Sequence, residues 1–285
     1  MRPKRHFRHM TQALSAKPVA RPLLLRVLPD RLRLSVWSRL YHGRGTHSGR
    51  LPTYSAAPLR FAPRLTMQLL PGDLISDSIA FTGIYELALS RRVCELARKG
   101  GTLVDVGANM GYFSLLWAAA RADNRCVAFE ASPSNIRMLR GNIERNRLEE
   151  RIRIIPCAAG ESRGSLAFDL GSADQTGWGG FSSEKTEGSI SVDVVRVDEI
   201  VEPDEPIALL KIDTEGADAH VLMGCDRLLR TRAVREVWYE QNKPRMKALG
   251  IPVDAARTYL QSVGYSASPD SDPESEVVEW RAVHA

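Results

Sequence analysis

Apolar and polar positions along this chain of 285 residues follow two rhythms. Short apolar runs recur at 103–106, 126–129, 152–157, 209–212 and 234–239, and their length and flanking Gly, Pro or acidic residues predict strands. Between them lie stretches with helical spacing. Residues 84–98 bring Leu87, Val93, Leu96 and Ala97 near one face, and Gly100 with Gly101 ends the run. Residues 113–122 form an Ala-rich apolar helix, and 132–147 a helix with Ser132 as N-cap and Pro133 at its first position. Further helices are expected over 217–229 and 253–263, the latter closed by Gly264, and an alternating strand over 276–283. Residues 64–75 read as a strand, a Pro-Gly turn and a re-entry. Strands alternating with helices predict an α/β fold, a doubly wound, mostly parallel sheet with helices on both faces. Residues 161–197 break the rhythm. Their alternating runs at 165–168 and 189–195 predict a hairpin-like insertion after the third strand.

The sharpest local feature lies where the first strand meets the next helix, at Asp105, Val106, Gly107, Ala108, Asn109, Met110 and Gly111. Gly107 allows a tight turn, and Gly111 lets the helix start approach strand and ligand. Open α/β sheets bind ligands at such turns. The spacing is G-x-N-x-G rather than the G-x-G-x-x-G of dinucleotide sites. Asp105 just before it disfavours a pyrophosphate and suits a positively charged cofactor. Glu130 ends the second strand, 23 positions beyond Gly107, where a carboxylate can accept both hydroxyls of a ribose. A second cluster, Asp213, Thr214, Glu215 and Gly216, ends the fourth strand, facing the same crevice. Asp213 and Glu215 are candidate reactive carboxylates, with the alternative that Glu215 caps the following helix. Glu240, ending the fifth strand, borders the crevice or forms a surface ion pair. Paired carboxylates can also hold a divalent metal, but only two acids cluster locally, so no metal ligands are assigned. His220 falls on the polar side of its helix.

These residues carry a resemblance to the FkbM-type S-adenosylmethionine-dependent methyltransferases of class I fold, over about 65–283. Its specific parts are G-x-Y-E at 83–86, D-V-G-A-N-M-G-Y-F-S at 105–114, F-E at 129–130, N-I-E-R-N at 142–146, A-A-G at 158–160 and K-I-D-T-E-G-A-D at 211–218. Asp218 stands where the family commonly has Glu. The resemblance implies a seven-stranded sheet, six strands parallel and one antiparallel, whose last hairpin uses the segment near Tyr265 and 276–283. It implies S-adenosylmethionine as cofactor. Asp105, Gly107, Ala108, Asn109, Gly111, Tyr112 and Phe113 would form the loop at its methionine end, with Asp213 beside them. Glu130 and Ala131 would hold the ribose, Cys157 and Ala158 the adenine, and Glu86 the amino acid end. It points to methylation of a hydroxyl on a small molecule, natural product or sugar, with Asp213, Glu215 and Glu240 as candidate bases. N-methylation of a peptide or amide-like group is the alternative within the class. An NAD-linked oxidoreductase, a non-catalytic binding module and an RNA methyltransferase are the readings outside it. Trp178 and Phe181 of the insertion, with 241–250, are candidate walls for the acceptor, and Gly177 to Gly180 a candidate lid.

Charge divides the chain. Residues 1–50 hold twelve Lys or Arg and one acid, Asp30, for a net +11, so with +5 overall the remainder carries −6. A mildly acidic main domain argues against a spread nucleic-acid surface. The expected organisation is a basic extension at 1–50, flexible or partly helical and without separate chemistry, with an organellar transit peptide or a polybasic arm touching acidic lipid or RNA as alternatives, a strand and helix segment at 51–100, and a methyltransferase domain at 101–285. The extension lacks the apolar core of a signal peptide, and no run reaches the about eighteen apolar residues a membrane span needs. Cys94, Cys126, Cys157 and Cys225 form no C-x-x-C pair, so buried reduced thiols and a cytoplasmic setting are expected.

Overall fold

The computed structural model describes residues 21–40, 54–170, 175–177, 179–181, 189–202 and 206–285. Helices α1 (Leu23–Val27) and α2 (Asp30–Leu40) precede an antiparallel hairpin of β1 (Ala56–Pro58) and β2 (Thr66–Gln68). Helices α3 (Leu74–Thr82) and α4 (Leu87–Lys99) lead into the βα repeat: β3 (Thr102–Val106), α5 (Tyr112–Ala120), β4 (Arg125–Phe129), α6 (Pro133–Arg145) and β5 (Ile152–Ile155). The insertion contributes β6 (Ala158–Ala159), β7 (Gly164–Asp169), β8 (Gly180–Phe181) and β9 (Ile190–Val195). After α7 (Val197–Ile200) come β10 (Ile207–Ile212), α8 (Asp218–Met223), α9 (Asp226–Arg230), β11 (Glu236–Asn242), α10 (Lys243–Ala248), α11 (Ala255–Ser262), β12 (Tyr265–Pro269) and β13 (Val277–His284).

The main sheet has seven strands in the order β12-β13-β11-β10-β3-β4-β5, with β13 alone antiparallel to its neighbours. Its central strands β3 and β10 are buried along their whole length, as expected where helices cover both faces. Side chains alternate between the faces. Leu103 joins the core beneath α4 and α5, and Val104 and Val106 join the core beneath α8, α9 and α11. The strand order reverses between β3 and β10, which opens a crevice at their carboxyl ends.

Ser132 caps α6 by accepting from the Asn135 amide, and β7 pairs antiparallel with β9 as the alternation in the insertion indicates. Two expected elements are shorter. The third strand stops at Ile155 before Pro156, and Ala158–Ala159 pairs with β9 in the insertion sheet instead. The expected helix over 217–229 breaks after Met223. There Asp198 N donates to the carbonyl of Gly224 (3.1 Å), and a Cβ on Gly224 would lie 2.1 Å from Gly160 O. Within the basic stretch, 21–40 is helical and packed: Leu25 is fully buried, and the Trp37 ring stacks on Phe81 at 5.2 Å.

Candidate active site

The turn after β3 is built by contact between backbones. Gly107 has φ +73°, and a Cβ there would meet Asp213 O at 1.9 Å, so glycine is the residue that lets the ends of β3 and β10 touch. Gly111 likewise leaves no room: a Cβ would lie 2.5 Å from Leu139 of α6. Asn109 between them takes the left-handed conformation (φ 51°), which turns its amide onto Glu130. Glu130 is thereby pinned. Its Oε2 accepts from Asn109 N (2.7 Å) and its Oε1 from Ser132 N (2.8 Å), while the carboxylate borders the crevice at 7% exposure. Burial raises its pKa, and the two amides pull it back toward the ionised form. The Asn109 side-chain Oδ1 is buried without a hydrogen-bond partner among the described residues.

Beneath this turn lies a charged group that the sequence alone did not single out. Lys211, on β10, sits opposite Asp105 on β3 in the sheet register. Its Nζ is 3.5 Å from Asp105 and 3.4 Å from Asp213, and it donates to the Gly107 carbonyl at 2.9 Å. Burial opposes its charge, but Asp213, Asp105 and Glu86 outweigh burial and hold the ammonium protonated. Asp105 is fully buried, accepts from Ser114 Oγ (2.6 Å) and does not line the cavity. It therefore acts on the pocket through Lys211, whereas the sequence had suggested direct contact with a cationic ligand.

On the other side of the crevice the carboxylates gather. Asp213, Glu215 and Glu240 line the cavity. Glu215 (φ 53°) accepts from Asn242 Nδ2 at 3.0 Å and lies 3.9 Å from Arg245 Nε, so it does not cap α8. Asp218 ties two strand ends together: it accepts from Thr214 Oγ1 (2.8 Å) after β10 and from Glu240 N (3.1 Å) on β11. Burial, followed by the charge of Asp213, pushes Glu215 and Asp218 each up to about 7. The same two causes raise Glu86 and Glu240. Glu279 on β13, which accepts from the Trp238 indole, is raised by burial and then by Glu86. Glu86 is half-buried in a left-handed conformation (φ 40°) at the start of α4. Among the described residues five non-glycine positions have positive φ, and two of them, Asn109 and Glu215, line this one crevice, where backbone strain of this kind marks function.

The cavity opens at the carboxyl ends of the strands and encloses about 990 Å³ when the open solvent at its mouth is counted. Gly107, Ala108, Asn109, Tyr112, Phe113, Glu130, Ala131, Cys157 and Ala158 line it, all from the expected set; Glu86 and Gly111 do not. Met67, Ile75 and Tyr85 add walls from before the βα repeat, and Thr176, Gly177, Gly179 and Gly180 add backbone from the insertion. The insertion is anchored there by Asp73, which accepts from Thr176 N (2.8 Å) while capping α3 at Ser76 N (2.7 Å). Trp178 lies outside the described residues, as does the Phe181 side chain. His220 is exposed, 3.4 Å from Glu161, and does not line the cavity. Among the described residues no group of acids, His or Cys has the geometry of a metal site.

A glycine turn on the first strand, a pinned carboxylate on the second and a D-x-E-G turn on the fourth define a class I methyltransferase arrangement. Residues 105–267 match the methyltransferase FkbM domain, and the chain belongs to that family. The methyltransferase sdnD of Sordaria araneosa is 27% identical over 183 residues, 52% of this chain and 70% of that protein. A solved FkbM methyltransferase of Methylobacillus flagellatus is 18% identical with a TM-score of 0.47. The match covers 65% of this chain and 44% of that one, so this chain spans less than half of that relative. An O-methyltransferase of Bacillus cereus solved in complex with SAH is 13% identical with a TM-score of 0.41, over 71% of this chain and 83% of that one. Membership of this family sets aside the oxidoreductase reading.

Proposed function

We propose that this chain transfers a methyl group from S-adenosylmethionine to a hydroxyl of a small molecule, natural product or sugar. The observation that carries the reading is the Glu130 carboxylate, held at the crevice by Asn109 N and Ser132 N beside a glycine turn. The orphaned Asn109 Oδ1 and the acidic far wall fit a ligand with hydroxyl and amine donors and a positive charge. Such a cofactor, when bound, supplies a methyl group on a cationic sulfur. Glu130 would hold its ribose, the backbone around Cys157 and Ala158 its adenine, and the Gly107–Gly111 turn with Asp213 its methionine end. The chain's own work is then to orient an acceptor oxygen, exclude water and take up a proton. Glu215, raised to about 7, suits a base at neutral pH better than an ordinary carboxylate. Asp213, paired with Lys211, is better suited to facing a positive charge.

Thermal unfolding in the presence of S-adenosylhomocysteine tests the reading. At about a hundred times its dissociation constant the ligand should add about 2.7 kcal/mol of stability. Glu130→Ala should remove the shift while leaving a cooperative transition. A shift with NAD⁺ and none with S-adenosylhomocysteine would overturn it. Methyl transfer to nitrogen rather than oxygen, read from the product's mass fragments, would keep the cofactor and replace the acceptor class.

A further inference from the structure

Half of the large apolar side chains exposed among the described residues fall within ten positions of the basic stretch. They are Leu23, Leu24, Val27 and Leu32, exposed by 74%, 45%, 71% and 55%. Leu23 and Val27 lie one turn apart on α1, while Leu25 between them is fully buried. The short helix thus has a packed inner side and an apolar outer side. The corner cannot fold these side chains inward, because it is stapled from within. Arg33, only 5% exposed, donates to the carbonyls of Leu28 (2.9 Å), Arg26 (3.4 Å) and Thr82 (3.2 Å). Arg21 ties the start of α1 to the carbonyls of Ala80 and Pro58, each at 2.7 Å.

The charge around these side chains has one sign. Arg26, Arg31 and Arg39 are exposed on the same two helices. Arg60 and Arg91, each 48% exposed at the side chain, stand beside them. Asp30, the single acid of 1–50, has a side chain only 13% exposed and is met by Arg33, Arg60 and Arg91. Burial first, and then the neighbouring charges of Arg33, Arg26 and Arg60, depress the Arg21 pKa to about 10. Each candidate occupant meets this face differently. Two copies would bring like charge together. A nucleic-acid backbone would satisfy the arginines and gain nothing from four leucine and valine side chains. An anionic bilayer satisfies both, because arginines meet the headgroups while apolar side chains enter the acyl boundary. No helix among the described residues is long and apolar enough to cross a membrane, so the contact would lie on the surface.

We propose that the α1–α2 corner docks on an anionic lipid surface through Leu23, Leu24, Val27 and Leu32, with Arg26, Arg31, Arg39, Arg60 and Arg91 supplying the attraction. The test is flotation of the full chain with phosphatidylcholine vesicles, with and without about one third phosphatidylglycerol. The protein should float with the anionic vesicles alone, and less as salt rises. A triple Leu23→Ser, Val27→Ser, Leu32→Ser variant should lose about tenfold or more of its partitioning. Arg26→Glu with Arg31→Glu should lose a similar factor. The triple variant should keep the parent's melting transition, since none of its three side chains enters the core, while Arg26→Glu also removes the Arg26 bond to the Arg21 carbonyl (2.8 Å), so its partitioning is read beside its melting curve. Unchanged partitioning of the triple variant would overturn the proposal, as would equal binding to neutral vesicles. So would vesicle binding that is absent while a self-association, or retention on single-stranded RNA, disappears in either variant.

Discussion

Lys211 shows how much a single side chain can organise. It is the lone charge in a strand otherwise made of Ile, Ala and Leu, and its ammonium answers two carboxylates and a carbonyl at once. A buried cation in such a place must be paired. Its removal would leave Asp105, which is fully buried, without a counter-charge. Lys211→Met should therefore cost about 3–5 kcal/mol of unfolding free energy, measured by urea titration. A cost under about 1 kcal/mol would mean that Asp105 is satisfied by Ser114 alone. Glu130 was legible in the sequence because its role depends on a local offset from Gly107. The role of Lys211 was not, because its pairing with Asp105 exists only once β10 is laid beside β3 in one register. The burial of Asp105 was hidden for the same reason: a carboxylate two residues from a binding turn looks exposed to ligand until its partner is known.

Elements behave differently from residues. The strands and helices of the βα repeat were readable, since their apolar runs and caps agree with the packing around them. Helices α1 and α2 were harder to read, because the buried side of α2 carries an arginine, Arg33, one turn before Trp37. A stripe interrupted by a charge gives no amphipathic signal, although Arg33 is satisfied by carbonyls. The break after Met223 coincides with the contact of Gly224 with Gly160, sixty-four positions before it, and no local pattern announces it. Helix α3 is the element that joins the crevice to the rest. Asp73 caps it and holds Thr176 of the insertion, and Ile75 lines the cavity. Asp73→Ala should cost about 1–2 kcal/mol as a lost cap. It should also speed protease cleavage within the insertion, read by limited proteolysis, before the remainder of the chain is touched. Cleavage at the parent's rate would show that the insertion is held by other contacts.

At the scale of the whole molecule the charges separate into a basic corner and an acidic cleft. The cleft and the acids packed behind it carry a pH signature. Glu215 and Asp218 are raised to about 7, and Glu86, Glu240 and Glu279 are raised with them, in each case first by burial. A carboxyl whose folded pKa exceeds its unfolded value binds more protons when folded, so stability falls as pH rises between the two. The ligand-free protein should thus lose thermal stability between about pH 5 and pH 8. A cationic ligand favours the ionised carboxylates, so stabilisation by S-adenosylmethionine should grow over the same range. Scanning fluorimetry across that range checks both slopes, and a ligand effect independent of pH would sever the link between these acids and the cofactor.

That acidic wall bears on turnover as well as on binding. On the proposed function, one positive charge enters the cleft on the donor and is gone when the methyl group has left. Fixed carboxylates attract the charged form and have no comparable hold on the neutral thioether. The protein would then discriminate between spent and fresh cofactor by charge alone, without a moving part. Product inhibition would be mildest at alkaline pH, where the wall is most fully ionised, and would deepen as acid neutralises it.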